Sequence, residues 1–337
     1  MTISKTFDAE TLLSVRDLRV DVRAKGHTTP ILRGVSIDVK PGEALGIVGE
    51  SGSGKSMTMR AIMRQLPAGM VASGRADFRN QSIFEMDRRR LADFRARRVA
   101  MIYQDPRAHI NPLWTVGDFL VEAVVATRAM SRRAATARAL ELLEEVGVQS
   151  PARRMSQYPS QLSGGLLQRV MIVAALMPEP ELILADEPTT ALDVTVQAEV
   201  MSIFADMTKT HGVGLVFITH DLDLAAAATD RIAVMYAGRI VEEGPSERVT
   251  EHPRHPYTAA LLASRPSAKV RRLPLSIPGV PASAATAGSG CAFADRCGFT
   301  IPDCYATDPP LTESGTQQVS ACIRSHELSL EIEGVST

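Results

Sequence analysis

Apolar and polar positions alternate through the opening segment, where Leu13, Val15, Leu18, Val20 and Val22 are the apolar members, and less regularly from Ile31 to Val39. A period of two predicts antiparallel, half-exposed strands. Pro41-Gly42 predicts a turn, and the continuous apolar run Ala44 to Val48 predicts a buried parallel strand. A glycine-rich loop follows, then a helix over roughly Lys55 to Gln65. Arg98 to Tyr103 is a further strand candidate. From Val116 to Leu176 the period turns helical, with Ala, Leu and Val three and four apart over Ala134 to Val146. This helical block between strand regions predicts an inserted α-helical subdomain. Leu182 to Ala185 and Gly214 to Thr219 read as strands flanking a helix over Val196 to Lys209, a βαβ unit. Ile232 to Tyr236 and Arg239 to Glu243 flank Ala237-Gly238, a tight hairpin. After Gly244 the composition shifts, and Ser264 to Gly290 reads as a linker or extended arm. The fold class is α/β.

Composition narrows this picture. The 337 residues suggest two domains, and 45% hydrophobic with 22% charged residues is ordinary for a globular protein. A formal net charge of −1 gives no reason to expect nucleic acid as a partner. Met1 to Glu10 carries Asp8 and Glu10 and no apolar run, so neither a signal peptide nor a membrane anchor is expected there. The longest apolar run, Val170 to Met177, is far short of the roughly 20 residues that span a bilayer. A membrane role is therefore expected to come through partner chains. All four cysteines lie between Cys291 and Cys322, which reads as a single local site.

Three motifs carry chemistry. Gly49-Glu50-Ser51-Gly52-Ser53-Gly54-Lys55-Ser56 fits G-x-x-x-x-G-K-[ST], after a predicted buried strand and before a helix. Such glycines let backbone N–H groups turn in around phosphate oxygens, and the helix N-terminus adds partial positive charge. Lys55 can reach the β- and γ-phosphates and Ser56 can ligate Mg²⁺. Leu182 to Ala185 runs into Asp186-Glu187, two carboxylates at the carboxyl end of a strand, where open α/β sheets bind ligands. Asp186 would hold Mg²⁺ and Glu187 would act as general base toward a water. Leu162-Ser163-Gly164-Gly165, followed by Gln168-Arg169, exposes a hydroxyl and backbone N–H groups at a helix start, a second phosphate-binding surface.

With these motifs the chain resembles the ATP-binding cassette (ABC) family over about residues 12 to 265. The resemblance implies an ABC-type P-loop NTPase core with an antiparallel β subdomain, an inserted helical subdomain at about 110–178, and a nucleotide-binding domain over 1–250. It implies that Ser163, Gly164 and Gly165 contact the γ-phosphate of ATP on an opposite subunit. Gln104 matches the glutamine that senses Mg²⁺ and the attacking water, His220 the histidine at the γ-phosphate, and Ala191-Leu192-Asp193 the loop that crosses the dimer interface. The family stacks adenine on an aromatic residue near the first strands. Here no Phe, Tyr or Trp lies between Val15 and Val35, and His27 is the only ring.

The segment His252-Pro253-Arg254-His255-Pro256-Tyr257-Thr258, then Ile277-Pro278-Gly279-Val280-Pro281, is similar to the C-terminal extension of oligopeptide, dipeptide and nickel importer ATPases. It places residues 251–337 in that extension. Cys291, Cys297, Cys304 and Cys322, spaced C-x5-C-x6-C-x17-C, match neither usual zinc pairs nor ferredoxin runs. Spacing leaves zinc, one iron–sulfur cluster and unligated thiols open, with His255 and His326 as further candidate ligands. Resemblance to the branch implies [4Fe–4S]. The resemblance also implies an ATPase on the cytoplasmic side of the cell membrane, with a second and related ATPase subunit, two transmembrane permease subunits and an extracytoplasmic solute-binding protein. The solute would be a peptide, with nickel or glutathione as alternatives, and a soluble non-transport ABC ATPase as the alternative class.

Overall fold

The computed structural model describes residues 11–24, 26–190, 192–264 and 276–330. Met1 to Glu10, and the part of the expected linker from 265 to 275, lie outside them. The strands among the described residues are β1 (Leu13–Ala24), β2 (His27–Val39), β3 (Ala44–Val48), β4 (Met70–Phe78), β5 (Gln81–Ser82), β6 (Val99–Ile102), β7 (Leu182–Asp186), β8 (Gly214–Thr219), β9 (Arg231–Tyr236), β10 (Arg239–Pro245), β11 (Thr312–Gly315) and β12 (Gln318–Ser320). The chain divides into two compact units, one from 1–39, 45–84 and 218–337, the other from 40–44 and 85–217.

In the first unit β1 lies between β2 and β4 in an antiparallel sheet ordered β2-β1-β4-β5. The apolar alternation of β1 slips once, from Val15 to Leu18, and the structure shows why. The pairing jumps from Val15↔Ile37 to Leu18↔Val35, and Asp17 takes φ 45°. A bulge at this point absorbs the odd residue, so Val15, Leu18 and Val20 all face the core at 0% exposure. A second run of strands is ordered β11-β12-β10-β9-β3. All of β3 is buried, as its apolar run predicts, and it lies parallel to β9 with Leu45 opposite Arg231 and Val48 opposite Val234. The β9–β10 hairpin turns at Ala237 (φ 46°) and Gly238 (φ 79°), two successive left-handed residues that match strand twist.

A single core cluster joins Val48, Leu222, Val234 and Tyr236 to Tyr257, Leu262 and Phe293, with Ile277, Cys291 and Cys297 packed against it. Tyr236, Tyr257 and Phe293 meet ring to ring, with centroids 4.5 to 5.5 Å apart. Val249, Tyr257, Leu262 and Phe293, all after Gly244, are thus part of the same hydrophobic core as Val48 of β3 and Val234 of β9.

In the second unit β7 lies parallel to β6, in register from Val99↔Leu182 to Ile102↔Ala185. The predicted helical block consists of helices Val116–Ala126, Arg132–Glu145, Pro151–Met155 and Gly164–Leu176. Side chains cap three of them, Thr115, Ser131 and Ser163 each accepting a backbone N–H of the first turn. Helix Val194–His211 ends at Gly212 in the left-handed conformation.

Candidate functional site

The loop Gly49–Ser56 leaves β3 and enters helix Lys55–Ile62. Gly54 is the N-cap at φ 108°, and a Cβ there would stand 2.7 Å from Leu32 Cδ2 and 2.8 Å from Met235 Cε, so only glycine fits. At Gly49 a Cβ would lie 2.2 Å from the Met235 carbonyl oxygen, because the loop leaves the sheet pressed against β9. Lys55 is 4% exposed and its Nζ donates to the carbonyls of Gly49 (2.8 Å) and Glu50 (3.0 Å). The ammonium is thereby held inside the loop rather than in solvent. The Ser53 hydroxyl is buried and has no hydrogen-bond partner among the described residues.

Glu50 is held from the C-terminal region. Its N–H donates to Tyr257 Oη at 2.9 Å, and its carboxylate receives a two-pronged bond from Arg296. Reading the sequence flags Glu50 as a phosphate-loop residue and misses these partners. The signals were present, because Tyr257 sits in the His252–Thr258 segment and Arg296 directly precedes Cys297. His220 directly follows β8, exposed, and the next residue, Asp221, caps helix Leu222–Ala228 by accepting the N–H groups of Asp223 and Leu224.

In the second unit Asp186 ends β7 at 7% exposure. The β6–β7 register pairs Ile102 with Ala185, so the residues two beyond each, Gln104 and Glu187, emerge side by side. Gln104 Nε2 donates to Glu187 Oε2 at 3.3 Å, and Thr190 Oγ1 to the same oxygen at 3.0 Å. Glu187 sits at φ 45°, a left-handed conformation that turns its side chain out of the strand line. Gln104 and Asp186 here, and Ser56 in the first unit, each carry an oxygen donor, the type a hard divalent cation takes.

Ser163 caps helix Gly164–Leu176 by accepting the Leu166 N–H at 3.4 Å. A Cβ on Gly165 would stand 2.7 Å from Val196 Cγ1, and one on Gly164 3.8 Å from Leu192 Cδ2. The two glycines therefore lie against the segment that carries Asp193, which itself caps helix Val194–His211 through the Val196 N–H at 3.0 Å. Ala191 lies outside the described residues.

Cys291, Cys297, Cys304 and Cys322 line one cleft together with His255, Phe293, Phe299 and Arg324. None is in a disulfide. Burial pushes the thiols of Cys291, Cys297 and Cys322 up, and neighbouring cysteines add to it in each case. The expectation of a single local site is met. The expectation of a cluster is not supported. Among the described residues no three or more His, Cys, Asp or Glu side chains stand in an arrangement that would hold a metal ion. His255 is fully buried and its Nδ1 accepts the Tyr257 N–H, while His326 is exposed and does not line the cleft.

Comparison with known proteins agrees with this geometry. The family profile described as "ABC transporter" matches residues 32–190, and that described as "Oligopeptide/dipeptide transporter, C-terminal region" matches 241–304. A probable peptide ABC transporter ATP-binding protein of Sinorhizobium fredii is 43% identical over 325 residues, covering 95% of this chain and 97% of the relative. A dipeptide transport ATP-binding protein of Bacillus subtilis is 42% identical over 306 residues, covering 90% and 91%. Among solved structures, a dimeric ATP-binding cassette in a post-hydrolysis state with ADP and Pi superposes with a TM-score of 0.62 at 27% identity, covering 69% of this chain and 98% of that one. The chain belongs to the ABC transporter family, whose members hydrolyse ATP. Within it the chain falls in the oligopeptide/dipeptide branch, as an ATP-binding subunit. Among the described residues no helix is long and apolar enough to cross a membrane.

Proposed function

We propose that this chain binds MgATP on the loop Gly49–Ser56 and couples its hydrolysis to uptake of peptides through partner permeases. The observation that carries this proposal is Lys55, drawn into the loop by the Gly49 and Glu50 carbonyls at the start of a helix. Triphosphate oxygens would take over the ammonium and the loop N–H groups. Mg²⁺, when bound to Ser56 and Asp186 with Gln104 beside it, would neutralise charge on the phosphates. Glu187 takes a proton from water as the water oxygen bonds to the γ-phosphorus. The bond from that phosphorus to the bridging oxygen of ADP breaks in the same displacement. Gln104, bonded to Glu187, orients the carboxylate, and His220 contacts the γ-phosphate.

Ser163, Gly164 and Gly165, with Asp193 beside them, complete the site of a second ATPase subunit. Residues 1–250 act as the nucleotide-binding domain, with the helical subdomain at 110–178, and 251–337 as the transporter-type extension. Leu113 is 81% exposed in the segment after Gln104, which supports docking of a permease segment there. A solute-binding protein outside the membrane would deliver peptide, placing this subunit on the inner face. For the extension, the finer proposal is a [4Fe–4S] cluster on the four cysteines, which share one cleft but would have to rearrange from their present positions to hold it. Visible absorbance with iron and sulfide in anaerobically purified protein would support it. Stoichiometric zinc, or four titratable thiols, would replace it.

Glu187→Gln in the assembled transporter tests the catalytic assignment. Turnover should fall by about 10²-fold or more while ATP binding persists, since a general base is worth 10²–10⁴-fold. Unchanged turnover would remove Glu187 from the chemistry.

A further inference from the structure

Arg296 is a charged side chain with 4% of its surface exposed, carried on the short turn Ala294–Arg296 in the C-terminal region. Its guanidinium spans 246 positions of sequence to reach the phosphate-binding loop. Nη1 donates to Glu50 Oε2 at 2.7 Å and Nη2 to Glu50 Oε1 at 3.0 Å. Nε donates to the Pro278 carbonyl at 2.9 Å, and Nη1 also meets Tyr236 Oη at 3.3 Å. Gly279, at φ 79°, leaves room for the side chain, since a Cβ there would lie 3.2 Å from Arg296 Cγ. The stretch Ile277–Pro281, distinctive in sequence and otherwise without a role, is thus a seat for this arginine.

Glu50 is held by both its main chain and its side chain from beyond residue 250. Tyr257 Oη takes its N–H and Arg296 takes its carboxylate. The third polar group of Glu50, its carbonyl, accepts from Lys55 Nζ at 3.0 Å. A two-pronged guanidinium–carboxylate pair fixes orientation as well as charge, and a lysine ammonium cannot reproduce the fork. Losing Arg296 would leave the half-buried Glu50 carboxylate without its ion-pair partner.

We propose that Arg296 is a positioning residue for nucleotide binding. It fixes Glu50 and, through the Glu50 carbonyl, the place of Lys55. The cysteine-bearing C-terminal region thereby sets the affinity of the loop for triphosphate. This rests on ATP binding at Gly49–Ser56, as proposed above.

The test is an ATP titration of turnover in the assembled transporter for wild type, Arg296→Met, Arg296→Lys, Glu50→Gln and the Glu50→Gln/Arg296→Met double variant, with melting temperatures of each purified chain. Arg296→Met should raise KM for ATP about tenfold while kcat changes less than about twofold, the pattern of lost binding rather than lost chemistry. Arg296→Lys should recover part of the KM, and the double variant should be no worse than Arg296→Met, because the two groups act as one unit. A wild-type KM in Arg296→Met would overturn the proposal, as would additive losses in the double variant. So would a fall in activity that tracks only a fall in melting temperature. Lys55→Ala separates the two levels. If it leaves wild-type turnover, ATP binding at the loop is itself wrong. If it abolishes turnover while Arg296→Met keeps its KM, only the role of Arg296 falls.

Discussion

Glu242 shows how one buried residue shapes the region that grips the phosphate loop. It lies on β10 at 0% exposure and accepts the N–H groups of Arg254 (2.7 Å) and His255 (2.9 Å) and Gln318 Nε2 (2.6 Å). Burial pushes its carboxyl up to about 7, against the opposing pull of these donors. Burial pushes the neighbouring His255 down to about 4. The signs differ in consequence. The folded chain holds the Glu242 proton where the unfolded chain releases it, so this group's contribution is full below about 4.5 and is lost as pH rises through about 7. His255 stays neutral in the fold, so its contribution is full above about 6.5 and is lost as pH falls through about 4. Between pH 5 and 6.5 the two slopes oppose. Glu242→Gln removes one of them and should leave a melting temperature that falls toward acid more steeply than wild type. Parallel melting curves for variant and wild type across that window would refute the opposition. Neither partner set could be read from the sequence, because the residues come from β10, from 252–258 and from β12, and only the folded chain brings them together.

At the scale of elements, the helix Gly164–Leu176 separates stability from function through one residue. Ser163 caps it, a role worth about 1 kcal/mol that Asp fills as well as Ser. In the proposed role the same hydroxyl also faces a γ-phosphate, where a carboxylate would repel. Ser163→Asp should therefore keep the melting temperature and lose turnover at least tenfold, whereas Ser163→Ala should lose some of both. Equal turnover in Ser163→Asp and wild type would leave the motif as a cap only. The long periodic segments were legible. The strands β1 and β2, β3, the helices between 116 and 176, β7, β8 and the β9–β10 hairpin all stand within a few residues of expectation. Helix 55 onward is shorter, closing at Ile62. The strand expected at Arg98 to Tyr103 spans only Val99–Ile102, because Phe94–Arg98 forms a π-helical turn ahead of it. What escaped has weak pattern. β4 carries Gly74 and an Arg, and its first six residues are exposed or half-buried, so it shows no alternation. β11 and β12 are four and three residues long, too short to leave a period, and exist because β10 supplies an edge to pair with.

For the whole molecule, nucleotide motifs come in two complements. The loop with Lys55 lies in one compact unit and the Ser163 surface in the other. If each ATP is held by Lys55 of one subunit and Ser163 of its partner, damage should depend on how it is distributed between chains. Lys55→Ala and Ser163→Asp chains, each inactive alone, should regain turnover when mixed. In the mixed pair one site carries both lesions and the other carries neither. The same two substitutions on one chain, mixed with wild-type chain, should show the opposite. Every mixed pair then has one lesion in each site, so turnover should come only from the wild-type pairs that remain. ATPase measurements on co-purified tagged pairs distinguish these outcomes. The reverse pattern, no turnover in the mixed single variants and turnover in pairs of the double variant with wild type, would mean that Lys55 and Ser163 serve the same nucleotide within one subunit. Facing subunits would then have no part in building the site.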